Sequence, residues 1–208
     1  MTKLSFPLYH ATSTVFVESI KQFGLGGKNP VNDFRALDLL KELKVLADKE
    51  LSQLEDWGYF KNVIERLTSK SSKLYQHNST YLTPSLYQAS NYSKNKYGSE
   101  FISETFRLIF LLKRENINIP NSLINEYKDL FNLEMTKPQP VVYGLNNLTL
   151  DYLSSAEDES DDLTSYIDQI EKKIKEYGKE NYTSVNVCHV QCLNFRISKP
   201  IPWEIVNG

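Results

Sequence analysis

Of its 208 residues this chain spends only two on cysteine, Cys188 and Cys192, and three on histidine. Two thiols cannot make a disulfide scaffold, so a reducing compartment is expected. Cys188, His189 and Cys192 do not suit a metal either, because residues alternating along a strand do not converge on one ion. No apolar run is long enough to cross a bilayer, so no membrane-spanning helix is expected. The opening Met1–Pro7 lacks an apolar core followed by a small-residue cleavage site. No secretory leader is therefore expected, and a cytoplasmic setting is. Neither sign of charge dominates: 24 Lys and Arg against 26 Asp and Glu leave a net charge of −2. That excludes a nucleic-acid coat or a membrane surface held by bulk electrostatics.

What is present is the composition of a globular chain, 40% hydrophobic and 24% charged, long enough for one domain over residues 1–208 with a real core. Residues 5–10 read as a short strand leading into a helix capped by Ser13 or Thr14. Phe16, Ile20 and Phe23 give that helix one apolar face, and Gly24 supplies a left-handed stop with Leu25 folding back. The segment from Gly24 to Pro30 is a loop by its punctuation. A strong helical pattern runs from Asp33 to about Trp57, and a second from Tyr59 to Lys70. Together with a Ser/Lys-rich tail they form a helical insertion over about 31–75.

Thr80-Tyr81-Leu82 predicts a short strand. The next helix would start with Thr83 as cap and Pro84 at its first position, and bury Leu86, Ala89 and Tyr92. Phe106–Leu112 reads as a fully buried strand. A short helix about 122–131 precedes a second central strand at Pro140–Leu145. The acidic run 157–162 opens a helix that ends near Tyr177-Gly178, acids first and lysines last as the helix dipole favours. Residues 184–195 and 197–206 read as one or two late strands. The class is α+β.

One constellation carries chemistry. Tyr9-His10-Ala11-Thr12 ends the first strand, Tyr81-Leu82-Thr83 ends another, and Ala89-Ser90-Asn91-Tyr92 places a second tyrosine eleven residues after the first. Read singly, His10 is a strand-end histidine and the tyrosines are core packing. In this order they point to a grip on a flat charged ring and a ribose. The chain resembles the ADP-ribosyltransferase superfamily, in the histidine–tyrosine–glutamate branch that includes diphtheria toxin and the poly(ADP-ribose) polymerases. In that branch a strand carries His with Ser or Thr two positions on, here His10 and Thr12. A second strand carries Tyr, here Tyr81, and a helix carries an Ala and, eleven residues after that Tyr, a second Tyr, here Ala89 and Tyr92. Ile20 and Gly24-Leu25 match the helix and loop after the His.

The resemblance implies a split antiparallel β-sheet core with flanking helices, and NAD as substrate. His10, Ala11, Thr12, Gly26, Tyr81, Thr83 and Tyr92 would hold the dinucleotide. Tyr81 and Tyr92 would sandwich the cationic nicotinamide, an attraction of about 0.5–2 kcal/mol for a cation on an aromatic face. His10 would bond ribose hydroxyls, since a neutral imidazole offers one donor and one acceptor. Two departures stand out. Ala11 replaces the usual Gly, and the late strand Val187–Phe195 has no acid where the family has Glu. That Glu stabilises the positive charge that develops as the glycosidic bond breaks. Asn194 is the best substitute, with Gln191 second and Glu204 too late by spacing.

The implied activity is mono-ADP-ribosyl transfer to a macromolecular acceptor, protein rather than nucleic acid, with His10, Tyr81, Tyr92 and Asn194 as the catalytic set. A toxin or effector would use it. The alternative is a catalytically inactive nucleotide-binding module of the same fold acting through protein interaction. RNA 2′-phosphotransfer to NAD ranks lower, because no basic residue lies next to His10 in the sequence.

Overall fold

The computed structural model describes residues 2–68, 79–94, 97–155, 162–178 and 194–207. It is an α+β chain with two small antiparallel sheets, and it divides into two compact units. Unit 1 takes residues 1–28, 79–95 and 139–208; unit 2 takes 29–78 and 96–138.

Among the described residues, the strands all lie in unit 1. β1 (Leu8–Ser13) pairs antiparallel with β3 (Pro140–Leu145), His10 opposite Tyr143 and Thr12 opposite Val141. The second sheet has the order β2 (Tyr81–Leu82), β5 (Phe195–Ile197), β4 (Leu153–Ser155). One further bridge joins the two sheets edge to edge. Tyr9 N–H donates to the Thr83 carbonyl at 2.7 Å, and Thr83 N–H returns a bond to the Tyr9 carbonyl at 2.9 Å. The strand order is thus β4-β5-β2-β1-β3, antiparallel throughout. Alternation along β5 sorts its side chains by face. Phe195 is fully buried opposite Leu82, with the Tyr166 ring edge-on at 5.3 Å and Phe6 at 6.4 Å. Arg196, one residue on, belongs to the other face.

The helices of unit 1 pack on this frame. A 3-10 turn (Thr14–Phe16) leads into α1 (Val17–Phe23), which has no side-chain cap. Neither expected cap acts as one: Ser13 Oγ is buried without a partner, and Thr14 Oγ1 accepts from Gln139 N–H instead. Phe16 and Ile20 are buried as expected, but Phe23 is 43% exposed. Gly24 does stop the helix, at φ +80°, and Leu25 then pairs with Ile201 through two backbone bonds. α9 (Leu163–Tyr177) is capped by Asp162, the last residue of the acidic run, whose side chain accepts from Thr164 N–H. Residues 157–161 lie outside the described residues. The final segment ends in a helical turn, α10 (Trp203–Val206), rather than the expected strand, with Pro202 immediately before its first residue.

Unit 2 is helical: α2 (Pro30–Asp33), α3 (Ala36–Glu50), α4 (Glu55–Thr68), α6 (Glu100–Arg114), α7 (Asn121–Glu126) and α8 (Lys128–Glu134). The single long helix expected to Trp57 breaks at 51–54, and α4 starts at Glu55. The segment expected to be a buried strand, Phe106–Leu112, is the middle of α6. Ser99 caps that helix, with Glu100 in its first turn and Lys113 and Arg114 in its last, all in favourable dipole positions. Ile102, Thr105, Phe106, Ile109 and Leu112 make its buried stripe, while Phe110 stays 66% exposed. A short apolar run does not declare its period; the cap and the flanking charges do.

Two substitutions test unit 1. Phe195→Ala should lower the unfolding free energy by about 3–5 kcal/mol, read from the denaturant midpoint. Gly24→Ala should cost about 1–3 kcal/mol, from strain at positive φ. Its new Cβ would also sit 2.8 Å from the Ile201 carbonyl oxygen.

Candidate functional site

The bridge at Tyr9 and Thr83 brings the first and second motifs together. Next to it, the His10 ring lies 2.9 Å from the Tyr81 carbonyl through Nδ1. A carbonyl only accepts, so Nδ1 carries the proton and Nε2 is left as an acceptor. Burial holds the imidazole below its usual range, opposed by the bond to Tyr81. His10 is therefore a neutral ring of fixed tautomer near neutral pH, able to accept from a hydroxyl through Nε2.

Tyr81 is half-buried, and desolvation raises its phenol pKa. The opposing influence is a residue that the sequence reading passed over. Arg196 stands directly opposite Tyr81 across the β2–β5 ladder, and Ser154 stands opposite Arg196 across β4–β5. Directly paired residues in an antiparallel ladder share a face. Ser154, Arg196 and Tyr81 thus form a row on the face opposite buried Phe195 and Leu82. Arg196 Nε–H donates to Ser154 Oγ at 3.2 Å, which orients the guanidinium, and its charge pulls the Tyr81 pKa down. The clue in the sequence was the alternation Asn194-Phe195-Arg196-Ile197, polar on one side and apolar on the other.

The remaining expected residues fall as follows. Asn194 precedes β5, two positions before Arg196, the spacing that shares a face along a strand; its backbone carbonyl accepts from the Tyr166 hydroxyl at 3.2 Å. Ala11 and Thr12 are buried within β1. Gly26, at φ +83°, runs against β5: a Cβ there would lie 3.2 Å from Ile197 Cγ2. Thr83 does not cap α5 (Leu86–Ser93). Its hydroxyl accepts from Ser85 N–H and donates to Gln88 Oε1, which fixes the turn and leaves its proton committed inside the protein. The cap is Ser85, whose Oγ accepts from Gln88 N–H at the start of α5 (Leu86–Ser93). Ser85-x-x-Gln88 is the capping-box pattern, legible in the sequence and missed.

Tyr92 is not the inward ring that was expected. It is 41% exposed in the last turn of α5, and Leu86 is equally exposed. The buried residues are Ala89 and Ser93, four apart, because small side chains let α5 lie close on β1 and β3. Gln191 lies outside the described residues, as do Cys188, His189 and Cys192. Glu204 opens α10 and lines a shallow cleft of about 280 Å³ with Lys21, Phe23, Pro200, Pro202 and Trp203. Neither His10 nor Tyr81 lines that cleft.

Among the described residues no helix is long and apolar enough to cross a membrane. Comparison with protein-family models, with curated proteins and with solved structures yields no match.

The His10 environment gives a pH test with a definite sign. The folded pKa lies below the ordinary 6.5, so as pH falls the unfolded chain takes up this proton first. Stability from this group is complete above that value and declines as pH drops below it. His10→Gln should flatten that part of the profile, measured as denaturant midpoints from about pH 8 down to about pH 5.

Proposed function

We propose that the chain is a mono-ADP-ribosyltransferase with an ADP-ribosyltransferase-like split sheet, cleaving NAD and passing ADP-ribose to a macromolecular acceptor. The observation that carries this reading is the bond from His10 Nδ1–H to the Tyr81 carbonyl. It fixes the imidazole of the first motif against the backbone of the second, with Nε2 as an acceptor for a ribose hydroxyl. Tyr81 offers an aromatic face to the nicotinamide ring, and Asn194 an amide to a second hydroxyl. Holding a dinucleotide at both ends turns binding energy into orientation at the reacting carbon.

In the reaction, the bond between ribose C1′ and the nicotinamide nitrogen breaks. The electron pair leaves with nicotinamide, which becomes neutral, and positive charge develops on the ribose. The acceptor's nucleophile then bonds to C1′ and gives up its proton. A protein acceptor suits the near-zero net charge better than a nucleic acid does. The setting is a cytoplasmic toxin or effector.

A second reading has its own support. Where the branch carries a carboxylate on its late strand, β5 holds Arg196 at the position opposite Tyr81. A cation opposes positive charge forming on a nearby ribose. On this reading the protein binds the dinucleotide without transferring it and acts through protein contacts.

Nicotinamide release separates the two. Incubation with NAD and cell lysate should free nicotinamide if the first reading holds, and none if the second does. In either case His10→Ala and Tyr81→Ala should each weaken NAD binding by about tenfold in calorimetry, the loss of roughly one good polar or cation–aromatic contact. Unchanged affinity in both variants would remove this site from the reading.

A further inference from the structure

We propose that Tyr143 joins His10 in the site, the Tyr143 hydroxyl and His10 Nε2 taking the two hydroxyls of one ribose of the dinucleotide. The inference rests on the NAD reading of the His10 site and names the second group that meets the same sugar.

The first argument is position. His10 and Tyr143 stand directly opposite each other in the β1–β3 ladder. Residues paired in this way share a face, with Cβ atoms about 4.5–5.5 Å apart. Leu8 and Leu145, paired two positions along, lie on the same face, and the Tyr9–Thr83 bridge sets Leu82 on it beside His10. Leu8, Leu82 and Leu145 are fully buried, whereas His10 and Tyr143 are only partly so. The pair is thus the polar, solvent-reached part of an otherwise apolar face, and small-molecule sites combine a few polar groups with apolar surroundings.

The second argument is hydrogen-bonding capacity. His10 Nδ1–H is committed to the Tyr81 carbonyl, which leaves Nε2 as an acceptor. Among the described residues, the Tyr143 hydroxyl has no hydrogen-bond partner. Its ring is nevertheless oriented, because Trp203 meets it edge-on at 5.9 Å with the planes at 90°.

The third argument is charge. Burial lowers the imidazole pKa and raises that of the Tyr143 phenol, so both groups are neutral near pH 7. Lys21 and Glu18, the charged residues that act on Tyr143, pair with each other at 2.7 Å and pull its pKa in opposite directions. A neutral acceptor beside a neutral hydroxyl suits the uncharged diol of a ribose; a phosphate would call for a cation.

The test is calorimetric titration of the full chain with NAD. Tyr143→Phe keeps the ring against Trp203 and loses only the hydroxyl. It should weaken NAD binding about three- to tenfold, the scale of one neutral hydrogen bond, with the denaturant midpoint unchanged. Combined with His10→Ala, the loss should be smaller than the product of the two single losses, because both groups act on one sugar. Trp203→Leu, which releases the Tyr143 ring and leaves both polar groups, should weaken binding by a smaller factor. It serves as the probe if Tyr143→Phe fails to fold. Unchanged affinity in both variants, beside a weakened His10→Ala, would overturn the role of Tyr143 and leave the NAD reading standing. A double variant that loses the full product would overturn the shared ribose. Wild-type protein that does not bind NAD would overturn that reading, and this inference with it.

Discussion

Two backbone hydrogen bonds between Tyr9 and Thr83 hold β1 against the end of β2, and the polar features of unit 1 are arranged around them. Without that bridge the described strands would form a two-stranded ribbon, marginal by itself, and a separate three-stranded sheet. With it, β4-β5-β2-β1-β3 forms one antiparallel surface. His10 reaches the Tyr81 carbonyl only because its own strand is pinned one residue away. The turn after β2 is fixed as firmly, by the Thr83 hydroxyl between Ser85 and Gln88. A backbone contact thus sets the positions of an imidazole, a phenol and the start of α5.

Among the described residues of β2, β5 and β4, the one charged side chain is Arg196. It shares a face with the Tyr81 phenol and the Ser154 hydroxyl, while the neutral imidazole of His10 bonds the Tyr81 backbone from the neighbouring strand. On the proposed reading, such a set suits holding a ribose and its phosphates better than stabilising a positive transition state, which needs fixed negative charge or dipoles aimed at the reacting carbon.

Much of this was legible in the sequence, and the failures have physical causes. The motif at Tyr9–Thr12 and the strand at Tyr81 were readable because short alternating segments end in residues that turn the chain. Gly24 was readable because only a residue without Cβ suits φ +80° against the Ile201 carbonyl. The run Phe106–Leu112 misled because seven mostly apolar residues satisfy strand and buried helix alike; Ser99, Glu100 and Lys113 held the answer. Tyr92 misled because a tyrosine at the expected spacing outweighed the small pair Ala89 and Ser93, which tells which side of α5 meets the sheet. Arg196 was overlooked because attention to a missing acid hid the base standing in its row.

Among the described residues, the middle strand of the three-stranded sheet is also the last strand in sequence. β5 lies between β2 and β4, yet it is drawn from residues 195–197, after both neighbours and after the whole of unit 2 have emerged from the ribosome. Until those residues are free, β2 and β4 have no strand between them, Arg196 has not met Tyr81, and Leu25 has no Ile201 to pair with. Long-range closure of this kind slows folding. It also means that a nascent chain, however much of it is already helical, carries an unfinished sheet until residues 195–201 have emerged.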